Sequence, residues 1–205
     1  MSLTKDQLFA LIGANVPDNT SGLITPTKMR EVLTQTADSM LFAAKGVREV
    51  ELLRATSTTT QQPSTTNTPI VLSFGVAQKA VTDPVMINSS GLVTFNQAGS
   101  YAIRVSLRFG RTGGVGTSIM AARIRINGAQ AGFVDAIKLE SAEVYIPYES
   151  RSPGVMNAGD TLDVQIIRDS AGHNSGGVFT QAVTAAGWGP SPSCAIVVSR
   201  LEPVP

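Results

Sequence analysis

His173, the only histidine in the chain, lies in "DSAGHNSGG" with Asp169, Ser170 and Ser175 a few positions away. Those are the residue types of a hydrolytic triad, but a triad needs groups converging from separate elements of a rigid scaffold. Crowded into one glycine-rich stretch, they read as a loop. A glycosidase pair such as Asp160 with Glu149 would have to be assembled by the fold, since the carboxylates are scattered along the chain. "RTGGVG" at 111–116 has the glycines of a phosphate cradle without the Lys-Ser/Thr and the following helix that such a cradle requires. Asp135, Glu140 and Glu143 are oxygen donors of the kind calcium takes, but no ligand-dense loop surrounds them and solvated surface is the simpler reading. The single cysteine, Cys194, excludes an intramolecular disulfide and any multi-cysteine metal site, and reads as a small buried apolar group. The expectation is a chain with no catalytic residues, no metal and no cofactor.

Recognition suits these residues better. Trp188 stands in "GWGPSPS" just before the last apolar run. There it is either a large amphipathic contact for a carbohydrate or a protein, or a ring tucked over the end of a sheet. With His173 and Asn174 it makes up the candidate receptor-contact loops. Tyr145 and Tyr148 flank Pro147 in one apolar segment, as core residues or as contacts between copies.

The elements that would position these residues fall into three parts. At 205 residues, 42% hydrophobic and 15% charged, the chain can bury a full core. A formal charge of +1 excludes the strong field that would favour nucleic acid, anionic lipid or an acidic substrate, so partners must be recognised by shape. No apolar run approaches the roughly 18–20 residues of a membrane span, and the N-terminus lacks a signal-peptide core. The chain reads as made and retained in the cytosol, or released by lysis, without membrane insertion.

Residues 1–54 are expected to form a helical attachment or oligomerisation module. Thr4 with Gln7 is a capping box, with Leu3 and Leu8 at the staple positions. "NVPDNTSG" is turn chemistry, after which Thr25 caps and Pro26 opens a second helix. Met29, Leu33, Thr36, Met40, Ala43, Val47 and Val50 then alternate in steps of four and three, the spacing of a coiled-coil seam. Met29, Leu33, Met40 and Val47 are its strongest members, serving either a self-associating coil or a helix docked on a neighbouring protein. Residues 55–69, "ATSTTTQQPSTTNTP", read as an extended Ser/Thr/Pro-rich linker, about 50 Å when fully stretched.

Residues 70–205 are expected to be an all-β head. "SYAIRVSLRFGR" places Tyr101, Ile103, Val105, Leu107 and Phe109 on one face with a strict period of two. "ARIRINGAQAG" runs into Asn127-Gly128, a strong hairpin signal. "AGDTLDVQIIRD" turns Leu162, Val164 and Ile166 inward, and "SCAIVVSRLE" is a final apolar strand. Many short strands with glycine-rich turns predict a mainly β fold, an antiparallel jelly-roll sandwich, behind a small helical anchor.

"SSGLVTFNQAGSYAIRVSLRF" resembles the central strand pair of tumour-necrosis-factor-like, complement-type globular heads, and the "AGD" before an alternating strand fits as well. That resemblance implies a homotrimer with aromatic positions such as Tyr145 and Tyr148 at the contact between heads. "SGLITPTKMREVLTQTADSM" is similar to a short segment near the N-terminus of tailed-bacteriophage fibre and appendage proteins, from which Pro26 and Lys28 depart. The two resemblances together imply a structural virion protein: a trimeric tail fibre or receptor-binding appendage. It would dock on another virion protein through residues 1–54 and present its head to a host surface glycan or protein. A capsid decoration or head fibre is the alternative, and a polysaccharide-degrading virion enzyme a second one.

Overall fold

The computed structural model describes residues 47–75, 82–140, 145–171 and 175–203, together with Ala10. The candidate residues Met29, Leu33, Met40, His173 and Asn174 lie outside the described residues. The chain forms two compact units, one of residues 49–201 and one of residues 1–48 with 202–205. In the second unit, Arg48 Nη2 lies 3.0 Å from Glu202 Oε2.

Among the described residues eleven strands make two antiparallel sheets, and none of those between 47 and 203 is helical. They are β1 (Val47–Ser57), β2 (Ile70–Val71), β3 (Val85–Ile87), β4 (Val93–Phe95), β5 (Gly99–Gly110), β6 (Ser118–Ile126), β7 (Ala129–Leu139), β8 (Tyr145–Met156), β9 (Thr161–Arg168), β10 (Gly177–Val178) and β11 (Cys194–Pro203). In the first sheet β5 is central. β8 pairs along one whole edge of it, from Gly99↔Met156 to Gly110↔Tyr145. β11 and the short β10 share the opposite edge, and β1 lies beyond β11. The second sheet runs β3-β4-β9-β6-β7, with β2 beside β9. The chain passes repeatedly between the sheets, which is jelly-roll wiring.

The alternation in the sequence decides what fills the sandwich. Tyr101, Ile103, Val105, Leu107 and Phe109 of β5 are all buried, as are Leu162, Val164 and Ile166 of β9 and Cys194, Ile196 and Val198 of β11. The Tyr101 hydroxyl donates to the Gln97 carbonyl at 2.7 Å and its ring meets Phe95 edge-on at 4.8 Å, so an aromatic with a polar tip is accommodated inside. The hairpin between β6 and β7 turns at Asn127 (φ 50°) and Gly128 (φ 79°), the two left-handed positions that the Asn-Gly dipeptide supplies.

Two expectations about the first third of the chain are corrected. Val47 begins a strand, and its side chain is 67% exposed. From there the period is two, with Leu53, Ala55 and Ser57 buried between exposed Arg54 and Thr56, so residues 47–54 belong to the sheet and not to a helical seam. Nor is 55–69 a stretched linker. Residues 55–57 complete β1, Gln61 exchanges backbone hydrogen bonds with Val178 at 2.9 Å each way, and Pro63 is buried. The Gln61 side chain also bridges Ser73, taking its N–H and donating to its carbonyl, both at 2.8 Å. A polar segment that cannot build a core is held to one by its backbone groups, which the edge of a sheet satisfies.

Candidate functional site

Strand direction gives the sandwich two unlike ends. Within residues 49–201, the chain enters by β1 and leaves by β11 at the end that also holds Gly99 and Met156. The far end is fixed by Ser57, Gly110, Tyr145 and Cys194. The Ser193 N–H donates to the Ser57 carbonyl at 2.8 Å, and Arg108 N–H to the Ser193 carbonyl at 2.9 Å. From the second sheet, Ser118 Oγ donates to the Ser175 carbonyl at 2.6 Å, and Ser175 Oγ to the Gly113 carbonyl at 2.7 Å. Residues 58–69, 111–117, 169–171, 175–176 and 179–193, with the exit of β7 at Leu139 and Glu140, therefore gather at the end remote from Glu49 and Leu201, here the distal end.

Trp188 stands there at 73% exposure, so it is a surface residue and not a ring over the sheet. Its loop has a narrow, well-bonded base and an open tip. At the base, Gln181 and Ser191 form an isolated bridge with a 2.8 Å backbone bond, and Thr180 Oγ1 donates to the Ser191 carbonyl at 2.8 Å. The Arg108 guanidinium donates to both the Ser191 hydroxyl and the Gln181 side-chain carbonyl, and lies 4.7 Å from the centre of the Tyr145 ring. Tyr145 in turn meets Phe179 edge-on at 6.0 Å. At the tip, Trp188 N–H closes a turn on the Ala185 carbonyl at 3.2 Å, and residues 181–190 are all exposed. A Cβ added at Gly187 or Gly189 would meet nothing within 4 Å, so the indole has open space on both sides along the chain.

The glycine-rich 111–117 loop is built on a residue that the sequence reading passed over. Arg111 is fully buried and donates to the carbonyls of Gly113 at 3.0 Å, Gly114 at 2.8 Å, Gly116, and Leu139 at 3.4 Å. The loop spends its carbonyls on an internal guanidinium, which stiffens it and leaves Val115 at the tip 89% exposed. The signal was parity: Arg111 continues the inward series 101, 103, 105, 107, 109, and the glycines after it free the backbone to fold over the side chain.

Among the described residues, those weighed for chemistry are not brought together; His173 and Glu143 lie outside them. The Asp169 carboxylate accepts from Ala171 N–H at 2.6 Å, and Ser175 is engaged with Gly113, so neither is aimed at the other. Asp160 sits at the opposite end, in the turn before β9. The side-chain amide of Asn127 (2.8 Å) and the Asn157 N–H (2.7 Å) donate to it and lower its pKa, the reverse of what a general acid needs. Glu149 projects from β8 in the other sheet, 3.5 Å from Arg104. Glu140 pairs with Lys138 at 3.1 Å, the Tyr148 hydroxyl donates to Asp135, and no three metal-ligating side chains cluster among the described residues.

Tyr145 and Tyr148, three positions apart on a strand, face opposite ways. Tyr145 is on the outer face over Arg108. Tyr148 points between the sheets, where its ring meets Phe109 at 6.0 Å and its hydroxyl reaches Asp135 of β7. Burial, then the Asp135 bond, raises its pKa. Around this contact the two edge strands place Ser150, Ser152, Ala131 and Gly132 where bulkier residues would close the sandwich, leaving a cleft of about 340 Å³ over Val105, Leu107 and Val164.

No protein-family model matches the chain, and no curated protein matches it. Among solved structures it is similar to Eiger, a TNF of S. frugiperda, with 13% identity and a TM-score of 0.46, over 77% of this chain and 95% of that one. It is similar also to murine APRIL: at pH 8.0 with 12% identity and a TM-score of 0.46, over 73% of this chain and 98% of the other. At pH 5.0 the values are 11% and 0.44, over 75% and 99%.

Proposed function

We propose that this chain is a non-enzymatic structural protein of a bacteriophage virion, a homotrimeric tail fibre or receptor-binding appendage. Its N-terminal residues dock on another virion protein and its jelly-roll head meets the host surface. The virion reading rests on the "SGLITPTKMREVLTQTADSM" segment. The observation that carries the receptor role is the polarity of the head. Chain entry and exit share one end, and the exposed Trp188 stands on a braced loop at the other. A tethered head presents its free end, and an indole there is a large contact whose exposure to water has no use in folding.

Trp188→Ala tests the assignment. Adsorption of particles to host cells is expected to fall, while the melting transition stays within about 1 kcal/mol of the parent, the range of surface substitutions. Unchanged adsorption with unchanged stability would remove the receptor role and favour the capsid-decoration alternative.

A further inference from the structure

Most of the described loops at the distal end carry no charge. Residues 58–69, 112–117, 170–171 and 175–193 contain no Asp, Glu, Lys or Arg, while the connection after Leu139 carries Glu140 and Glu143. Of the arginines that reach this end, two are buried and the third is engaged. Arg111 is 0% exposed under its own loop, and Arg168, 3% exposed, donates to the Ser64 carbonyl at 3.3 Å. Arg108 is spent on Ser191, Gln181 and the Tyr145 ring. Lys138 and Glu140, which lead out of β7, pair with each other, and the Asp169 carboxylate caps Ala171 N–H. Elsewhere the head is not poor in charge: the outer face of the first sheet carries Glu49, Glu51, Arg54, Arg104, Glu149 and Arg151.

We infer that the distal end binds a neutral saccharide, stacked on Trp188 and hydrogen-bonded by the hydroxyl and amide side chains of the surrounding loops; this rests on the receptor reading above. A protein partner is recognised over a surface enriched in several aromatics and in exposed arginine. This end offers one exposed aromatic, Trp188, while Phe179 is 5% exposed and the arginines are engaged or buried. An anionic glycan needs cations that the end withholds. A neutral sugar ring needs what is there: a flat amphipathic platform with free approach, provided by the glycines on either side, and small exposed polar side chains such as Thr184.

Trp188 is the only tryptophan, so intrinsic fluorescence of the full chain reports this site alone. The full-length protein is applied to an array of neutral, sulfated and sialylated oligosaccharides, and the neutral ones that bind are titrated by fluorescence. Binding confined to neutral glycans, with a shift of indole emission, is expected, and affinity that changes less than about twofold between roughly 50 and 500 mM salt. Trp188→Ala is expected to weaken it by roughly tenfold or more, as for a central aromatic contact, with Trp188→Phe recovering part of the loss. Preference for sulfated or sialylated glycans, a steep salt dependence, or no glycan binding at all overturns the inference. Adsorption of the labelled protein to host cells, run in parallel on periodate-treated and protease-treated cells, separates the two levels. Protease-sensitive adsorption without glycan binding leaves the receptor reading standing and removes the saccharide. Glycan binding without adsorption does the reverse.

Discussion

Cys194 is 1% exposed, and burial pushes its thiol from an ordinary 9.0 to about 11, against weaker opposing hydrogen bonds from Ser193 and Gln61. The folded chain therefore holds this proton over a range in which the unfolded chain releases it. Stability from this group is complete below the unfolded value of 9.0 and is lost as pH rises through about 11. At most it comes to roughly 2–3 kcal/mol. Tyr101 and Tyr148 shift the same way, each chiefly through burial, and steepen the loss above 10.0. Denaturant unfolding of the parent and of Cys194→Ala at about pH 8 and about pH 10.5 measures the linkage. The variant is expected to lose less stability between the two pH values; equal losses would mean that the thiol is not linked to folding. The same burial keeps the thiol protonated at neutral pH, so native protein is expected to resist thiol reagents that react once it unfolds.

At the scale of elements, the strands that sequence reading found are those whose apolar residues alternate without interruption. β5 is inward at every second position from Tyr101 to Phe109, and the β6–β7 hairpin announces its own turn at Asn127-Gly128. β1 was hidden because its first half is exposed. Val47 and Val50 satisfied a four-and-three spacing by coincidence, and only Leu53, Ala55 and Ser57 turn inward, the last two small and inside a Ser/Thr-rich run. The Trp188 loop was legible as a loop, but not its bracing, because Arg108 of β5 and Tyr145 of β8 meet Phe179 and Gln181 of the loop base only in the folded sheet. The boundary has a consequence for truncation. A chain beginning at residue 47 is expected to melt cooperatively, near the temperature of the parent head. One beginning at residue 55 loses Leu53, 0% exposed, and with it most of an edge strand. A buried leucine alone is worth roughly 2–5 kcal/mol, so its melting point should fall by more than about 10 °C or the fragment should not stay soluble. Equal melting of the two fragments would show β1 to be dispensable.

For the whole molecule the open question is what covers β8. Among the described residues this strand of 12 residues is hydrogen-bonded along one edge only, to β5, and an open edge of that length invites pairing with another chain. Simple edge-to-edge addition is opposed by Pro147 and Pro153, which lack the N–H to donate, and by Arg151 and Glu149 beside them. Association by faces is not opposed. On the outer side Val155 is 78% exposed next to Pro153, while Ala102 and Ser199 keep the neighbouring strands flat. On the inner side the cleft beneath Tyr148 stays open along the same margin. Three copies, each laying the β7–β8 margin against the outer face of the next first sheet, would cover both surfaces in a closed, heterologous ring. Arg104 with Glu149, and Arg151 with Glu49, already pair within one chain on that face, so the join would rest on apolar contact more than on charge. The full chain is expected to sediment as a trimer at micromolar concentration, and residues 47–205 likewise. Val155→Asp, a change at an exposed position, should yield a folded monomer of the 47–205 fragment with an unaltered circular dichroism spectrum. A parent that sediments as a monomer removes the trimer. A full-length trimer whose 47–205 fragment is monomeric would move the contact to residues 1–46. A Val155→Asp fragment that remains trimeric would take the contact away from the β8 face.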